Sequence, residues 1–288
     1  MGSGVQGQDL SNSASPERSA QGMLLSAFVL TRNEAHNIER CLASLSFCDE
    51  IVLLDAESED DTVARARRFT QRIWVEPWRG FSEQRTLAVS RCRGDWVLWI
   101  DADEVVTPEL ADSIQRAVRS KTPKAGYWVC RRVHYLGRWM RHGGWGQDWV
   151  LRLCRREQAR FSGARVHEQV VLEGETARLA GILEHYSYRD LGHHWQKIDL
   201  LSRLGAEEAW SRGCRTHLVD LLFRPPARSA KMYLLRLGIL DGWRGLVAAC
   251  LAGCYVFLKY ARLKEMEACD DPRPKLDSTI LEEKESAR

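Results

Sequence analysis

Trp96-Val97-Leu98-Trp99-Ile100-Asp101-Ala102-Asp103-Glu104 carries an unbroken apolar run straight into the carboxylates of Asp101 and Asp103. A strand that is apolar at every position is covered on both faces, as the central strands of a parallel α/β sheet are. Such sheets bind ligands just beyond the carboxyl ends of their strands. Two carboxylates two residues apart, on a chain that curls as it leaves the sheet, can turn oxygens toward one hard divalent cation. Mg²⁺ or Mn²⁺ seated on a diphosphate fits that chemistry. The plainer reading is that Asp103 only caps a following turn, and the apolar strand that delivers it favours a site.

The residues upstream repeat a βα pattern. Residues 24–30 are an apolar strand, and after Thr31-Arg32-Asn33-Glu34 the residues Ile38, Cys41, Leu42 and Leu45 recur at helical spacing. A second strand, 51–54, ends at Asp55 and precedes a helix over 62–69. A third, 73–75, precedes a helix over 82–91. The strand ending at Ile100 is the fourth, and Thr107-Pro108-Glu109 has the cap and first-turn proline of another helix. Strands alternating with short helices predict a Rossmann-like α/β fold. Its sheet is mainly parallel with helices on both faces, and the loops after residues 30, 54 and 100 gather at one edge. From Tyr127 the texture changes to strand-like pieces at 127–134, 149–155, 165–172 and 182–188, antiparallel or mixed. After Leu191 the period becomes helical again.

The expected organisation is a disordered leader over 1–22, a catalytic domain over 23–190, a helical region over 191–269 and a flexible tail over 270–288. With 44% hydrophobic residues the chain can build a large core, and 42 basic against 39 acidic residues leave a net charge of only +3. That balance does not favour nucleic acid as a partner. Nine cysteines lie scattered without a CxxC pair, mostly in apolar segments, and read as reduced core residues of a cytoplasmic protein.

Four ordered segments now stand together: Thr31-Arg32-Asn33-Glu34, Asp55-Ala56-Glu57-Ser58-Glu59-Asp60-Asp61-Thr62, residues 80–88, and Gly94-Asp95 leading to Asp101-Ala102-Asp103. The chain resembles the inverting nucleotide-sugar glycosyltransferases of family 2, which have the GT-A fold, over roughly residues 23–188. The resemblance implies that Asp55 binds the uracil edge of a UDP-sugar donor and that Thr31, Arg32 and Glu34 line the nucleoside. It further implies that Arg85 approaches the diphosphate and that Asp101 and Asp103 hold ribose and metal. Some GT-A enzymes draw a histidine ligand from their second half, and His185 is the matching candidate, with a hydrogen-bonded core histidine as the alternative reading. The chain departs from the pattern in having Glu57 where the family usually has glycine, and Thr86 where asparagine often follows the basic residue.

Inverting transfer needs a base, because the acceptor hydroxyl must lose its proton as it attacks the anomeric carbon opposite the departing diphosphate. Arg165-Val166-His167-Glu168-Gln169 offers Glu168 as base, with His167 to orient it or touch phosphate. Asp148, beside Gly143-Gly144-Trp145-Gly146, is the rival. Strand alternation alone could instead send Glu168 to solvent. Arg152 and Arg155 could lie near the diphosphate or form the strand's wet face.

The Val-His-Glu and His-Tyr-Ser-Tyr segments, with Asp241-Gly242-Trp243-Arg244-Gly245-Leu246 running on to residues 259–263, resemble bacterial lipopolysaccharide inner-core β-glucosyltransferases. That resemblance implies a lipid-linked saccharide acceptor. Arg224, Arg228, Lys231, Arg236 and Arg244 stand beside the apolar run 246–258, too short to span a bilayer but long enough for an interfacial helix on an anionic membrane. A buried helix with a basic flank is the alternative. The expectation is therefore a metal-dependent inverting glycosyltransferase on the inner face of the cytoplasmic membrane, moving a hexose such as glucose. Two other readings compete with it. A nucleotidyltransferase would usually open on a glycine-rich phosphate loop, whereas residues 24–37 contain no glycine. A non-catalytic nucleotide-sugar or glycan-binding module would bind UDP without turnover.

Overall fold

The computed structural model describes residues 24–163, 168–170 and 172–269. The elements run β1 (Leu25–Thr31), α1 (Ile38–Ser44), β2 (Glu50–Asp55), α2 (Thr62–Ala66), β3 (Ile73–Val75), α3 (Phe81–Arg91), β4 (Trp96–Asp101), β5 (Glu104–Val106) and α4 (Pro108–Val118). The second half contains β6 (Gly126–Tyr135), β7 (Arg138–Trp139), β8 (Asp148–Arg155), β9 (Phe161–Gly163), β10 (Glu168–Val170) and β11 (Thr176–His185). Helices α5 (Leu191–Ser211), α6 (Leu218–Ala230) and α7 (Trp243–Cys269) follow.

One sheet is ordered β3-β2-β1-β4-β8-β6-β11-β5, with β7 hydrogen-bonded to β6. Its first four strands are parallel. Beyond β4 the sheet is mixed: β8 runs antiparallel to β4 and β6, β6 and β11 are parallel, and β5 is antiparallel to β11. The expected α/β architecture and its loop edge are thus present. Strand β5 was not foreseen, because three residues directly after the acidic turn carry no periodicity of their own.

Alternation in β4 explains its unbroken hydrophobicity. Trp96, Leu98 and Ile100 join the core beneath α1 and α4, while Val97 and Trp99 join a second core with Phe28, Ala88 and Phe161. Every position of β4 is buried except Asp101, which emerges at the carboxyl end. Helix α4 lies against β11, and Gly181 makes that approach possible: a Cβ there would stand 2.4 Å from the Leu110 backbone nitrogen, and its φ of +95° is one that side chains disfavour. Thr107 sits where a cap was expected, but its hydroxyl donates to the Ile182 carbonyl and so ties α4 to β11.

The C-terminal helices form a separate layer. Helix α7 packs along both α5 and α6. A third core of Val133, Tyr135, Met140, Met232, Ala248 and Ala249 joins this layer to the end of β6.

Candidate active site

The loops after β1 and β2 are stitched together before any ligand arrives. The Asn33 amide donates to Ser58 Oγ at 2.8 Å, the Glu59 amide to Asn33 Oδ1 at 2.8 Å, and the Ala35 amide to Asp60 at 3.1 Å. Asp60 also accepts from the Thr62 amide at the start of α2. Asn33 and Glu57 both adopt left-handed φ, 52° and 57°. Glu57 thus keeps the backbone conformation that explains a glycine preference at this position, at a cost of about 1 kcal/mol. Asp55, fully buried at the end of β2, accepts from the Ser58 amide and hydroxyl. Burial pushes its carboxyl above the usual range against those two hydrogen bonds.

Register places Asp55 beside Thr31, and Leu30 beside Asp101. A small recess is lined by Leu30, Thr31, Arg32, Glu34, Phe81 and residues 101–103. Inside this recess wall the Thr31 hydroxyl is buried with no hydrogen-bond partner among the described residues. Glu34 is pushed up to about 8, first by burial and then by the charge of Asp103.

The antiparallel pairing of β5 with β11 opposes His185 to Glu104 and so brings His185 to Asp103, 82 positions away in the chain. His185 Nε2 lies 3.2 Å from Asp103 Oδ2, and the Tyr186 amide donates to the Asp103 carbonyl at 2.9 Å. Asp103 is buried. Burial alone would raise its carboxyl, but His185 and Lys197 hold it below the ordinary value.

Asp101 has different partners. Arg152 donates to it at 2.7 Å, and the Arg85 guanidinium stands 3.6 Å away. Arg152, itself buried, donates equally to the fully buried Glu104 at 2.5 Å. Glu104 also accepts from the Asp101 amide at 3.0 Å and pairs with Arg131 at 3.3 Å, and Arg131 reaches Asp148 at 2.6 Å. The result is a file of alternating charges: Asp101, Arg152, Glu104, Arg131, Asp148. Asp148 is therefore an ion-paired carboxylate at its far end.

Asp101, Asp103, His185, Arg85, Arg131 and Arg152 border a cavity of about 850 Å³ that also meets Trp128, Trp149, Val170, Tyr188 and Lys197. Lys197, on α5, donates to the Ser187 carbonyl at 2.6 Å and stands 5.2 Å from the Tyr188 ring centroid. Of the expected donor-site residues, Thr31, Arg32, Glu34, Arg85, Asp101, Asp103 and His185 meet around the recess and cavity. Asp55 lies at the adjoining strand end. Glu168 opens β10, which pairs antiparallel with β9, and Val170 on the same strand borders the cavity. His167 lies outside the described residues. Arg155 does not join the site: it opposes Trp96 at the amino end of β4 and covers that ring.

The sequence reading missed Glu104, Arg131 and Lys197. A signal existed for Arg131, a charge inside an apolar strand, and for Lys197, on the buried face of α5 beside Ile198.

Among the described residues no group of three or more His, Cys, Asp and Glu side chains is gathered as a metal cage. Asp103 and His185 do have the spacing of neighbouring ligands. Two cis donors each about 2.1 Å from one ion stand about 3 Å apart, and Mg²⁺ or Mn²⁺ commonly takes few protein ligands and completes its shell with phosphate oxygens and water.

Residues 26–169 match glycosyl transferase family 2. The chain is 30% identical over 268 residues to the lipopolysaccharide core biosynthesis glycosyltransferase LpsC of Rhizobium meliloti, covering 89% of this chain and 97% of that one. It is 28% identical to an uncharacterized glycosyltransferase of Rickettsia typhi, covering 84% of this chain and 87% of the relative. Among solved structures, a mannosyltransferase from Pyrobaculum calidifontis in complex with GDP-Man and Mn²⁺ is similar at 17% identity, with a TM-score of 0.49, covering 85% of this chain and 88% of that one.

Proposed function

The chain belongs to glycosyl transferase family 2, and from that premise we propose that it moves a hexose, with inversion, from a UDP-sugar to a lipid-linked saccharide of the lipopolysaccharide-core type. The observation that supports this most is the single cavity where the strand-end carboxylates, buried guanidiniums and His185 converge. In this reading the nucleoside lies in the recess of Thr31, Arg32 and Glu34, with Asp55 beyond it, and the orphaned Thr31 hydroxyl gains a partner. Arg85 and Arg152 face the diphosphate across Asp101. Asp103 and His185 hold a divalent ion, whose charge would stabilise the leaving diphosphate.

Glu168 takes the acceptor proton. Asp148 is the weaker choice of base, because its carboxylate already accepts from the Arg131 guanidinium at 2.6 Å. The acceptor enters from the side of Trp128, Trp149 and Tyr188, whose ring faces suit the apolar faces of sugars. The protein would work at the cytoplasmic face of the inner membrane, the place such an acceptor implies, as the relative named for lipopolysaccharide core biosynthesis suggests.

The test is a matrix of UDP-, GDP- and ADP-hexoses against core saccharide acceptors, with Mn²⁺, Mg²⁺ or chelator, and the product's anomeric configuration read by NMR. The expected result is metal-dependent release of UDP with a β-linked product from an α-linked donor. Release of GDP or ADP alone, or an α-linked product, would overturn the donor or stereochemical assignment. Tight UDP binding without turnover against any acceptor would favour a binding module.

A further inference from the structure

Among the described residues, most of the exposed large hydrophobic side chains lie on the C-terminal layer rather than at the site. Helix α6 buries none of its residues, yet Leu218, Val219, Leu222 and Phe223 occupy one side of it and are 58–68% exposed. Proline residues 225 and 226 follow, and the chain passes through a π-helical turn (Lys231–Leu235) and a 3-10 turn (Gly238–Asp241) into α7. There Leu235 is 79% exposed, Leu240 61% and Trp243 56%. Apolar exposure of this extent marks an interaction surface.

Its charge identifies the occupant. Arg224, Arg228, Lys231, Arg236 and Arg244 are interspersed through the same stretch. The acids within it are spoken for: Asp220 pairs with Arg224, and Asp241 is buried and accepts from the backbone amides of Arg141 and His142. Exposed leucines, phenylalanine and tryptophan beside lysine and arginine without free carboxylates fit an anionic lipid surface.

The apolar run first singled out, 246–258, is only partly available. Helix α7 is long and apolar enough to cross a membrane by length and composition. Here, however, it is packed between α5 and α6, Ala248 and Ala249 are buried, and Arg262 is bonded to Asp199. Shallow insertion of the α6 edge and its turns uses the exposed residues and leaves that packing intact.

We propose that α6, the two turns after it and the first turn of α7 form a monotopic docking edge that lies in the interface of an anionic bilayer. This edge is bonded to the loop that backs the cavity: the Gly143 amide donates to the Arg236 carbonyl, Arg244 to the Leu136 carbonyl, and Trp145 on the same loop stacks on the cavity residue Tyr188. Docking therefore holds the acceptor side of the cavity at the lipid surface, which rests on the glycosyl-transfer reading only for the identity of the acceptor.

The test is flotation of the full chain with vesicles of pure phosphatidylcholine or of phosphatidylcholine with phosphatidylglycerol, at low and high salt. Native protein should float with the anionic vesicles. Leu235→Glu with Leu240→Glu, at two exposed positions, should lower partitioning by about a hundredfold. Arg228→Gln with Lys231→Gln should lower it by about tenfold or more and flatten its salt dependence. Donor hydrolysis and transfer to a delipidated saccharide should stay at the native level in both, so a failed donor assignment and a failed docking edge give different results. Native protein that stays at the bottom of the gradient, or a Leu235/Leu240 variant that floats equally well, overturns the proposal. So does a native dimer in sedimentation that the same variant splits while vesicles are ignored, since the edge would then be a contact between two copies.

Discussion

Arg152 is the residue on which the site's charge arrangement turns. It is buried between Asp101 and Glu104, and although burial works against its charge, those two carboxylates hold its affinity for the proton above the ordinary value. Removing Arg152 leaves Glu104, which has no access to water, with only the Asp101 amide and the longer 3.3 Å contact to Arg131 to offset its charge. Arg152→Met should cost about 3–5 kcal/mol of stability in denaturant titrations. Arg85 pairs with the same Asp101 from 3.6 Å. Arg85→Gln should spare the fold and weaken UDP binding, read by calorimetry; a variant as unstable as Arg152→Met would make Arg85 structural. For the base, Glu168→Gln should lower kcat by about 10²–10⁴-fold with donor affinity unchanged. Activity within a few-fold of native, together with an inactive Asp148→Asn, would move the role to Asp148.

Elements were more legible than side-chain partners. The periods of 24–118 are set by burial on both sheet faces, so β1 to β4 and their helices could be read from residue types alone. What the sequence left out are partnerships across long separations, such as Arg152 with Glu104 or Arg131 with Asp148, because a charge on a strand looks the same whether it meets solvent or a carboxylate; Asp103 with His185 came only through the family resemblance. The join of α5 to β6 is another such partnership, and it carries a pH signature. His194 is buried against Tyr135, whose hydroxyl lies 2.8 Å from Nδ1, and burial, then Lys197 and His193, lower it from 6.5 to about 4. The folded protein keeps this ring neutral while the unfolded chain takes up a proton below pH 6.5. Its contribution is therefore complete above pH 6.5 and is lost as pH falls toward 4, on the order of 3 kcal/mol at full extent. His194→Asn can still accept from Tyr135 but does not titrate. Its unfolding free energy should change less than the native protein's between pH 6.5 and 4, and parallel curves would remove His194 as the cause.

Across the whole molecule, the helical layer and the sheet meet at the loop over residues 136–146. Asp241, in the turn before α7, accepts from the Arg141 and His142 amides and lies 3.3 Å from His142 Nδ1. Trp145 then braces Tyr188, and Tyr135, Tyr188 and His194 close around the same point. The donor recess is held independently, by the stitched loops after β1 and β2 and by the file of charges from Asp101 to Asp148. Loosening the Asp241 anchor should therefore act on one side of the cavity only. Asp241→Ala leaves two amides without their acceptor and should cost about 1–3 kcal/mol in thermal or chemical unfolding. Because it frees the loop behind Tyr188, it should raise KM for a saccharide acceptor while UDP affinity and donor hydrolysis remain native. Equal losses on donor and acceptor sides would mean that the two halves of the cavity are not separable, and that the C-terminal layer supports the whole site rather than its acceptor rim.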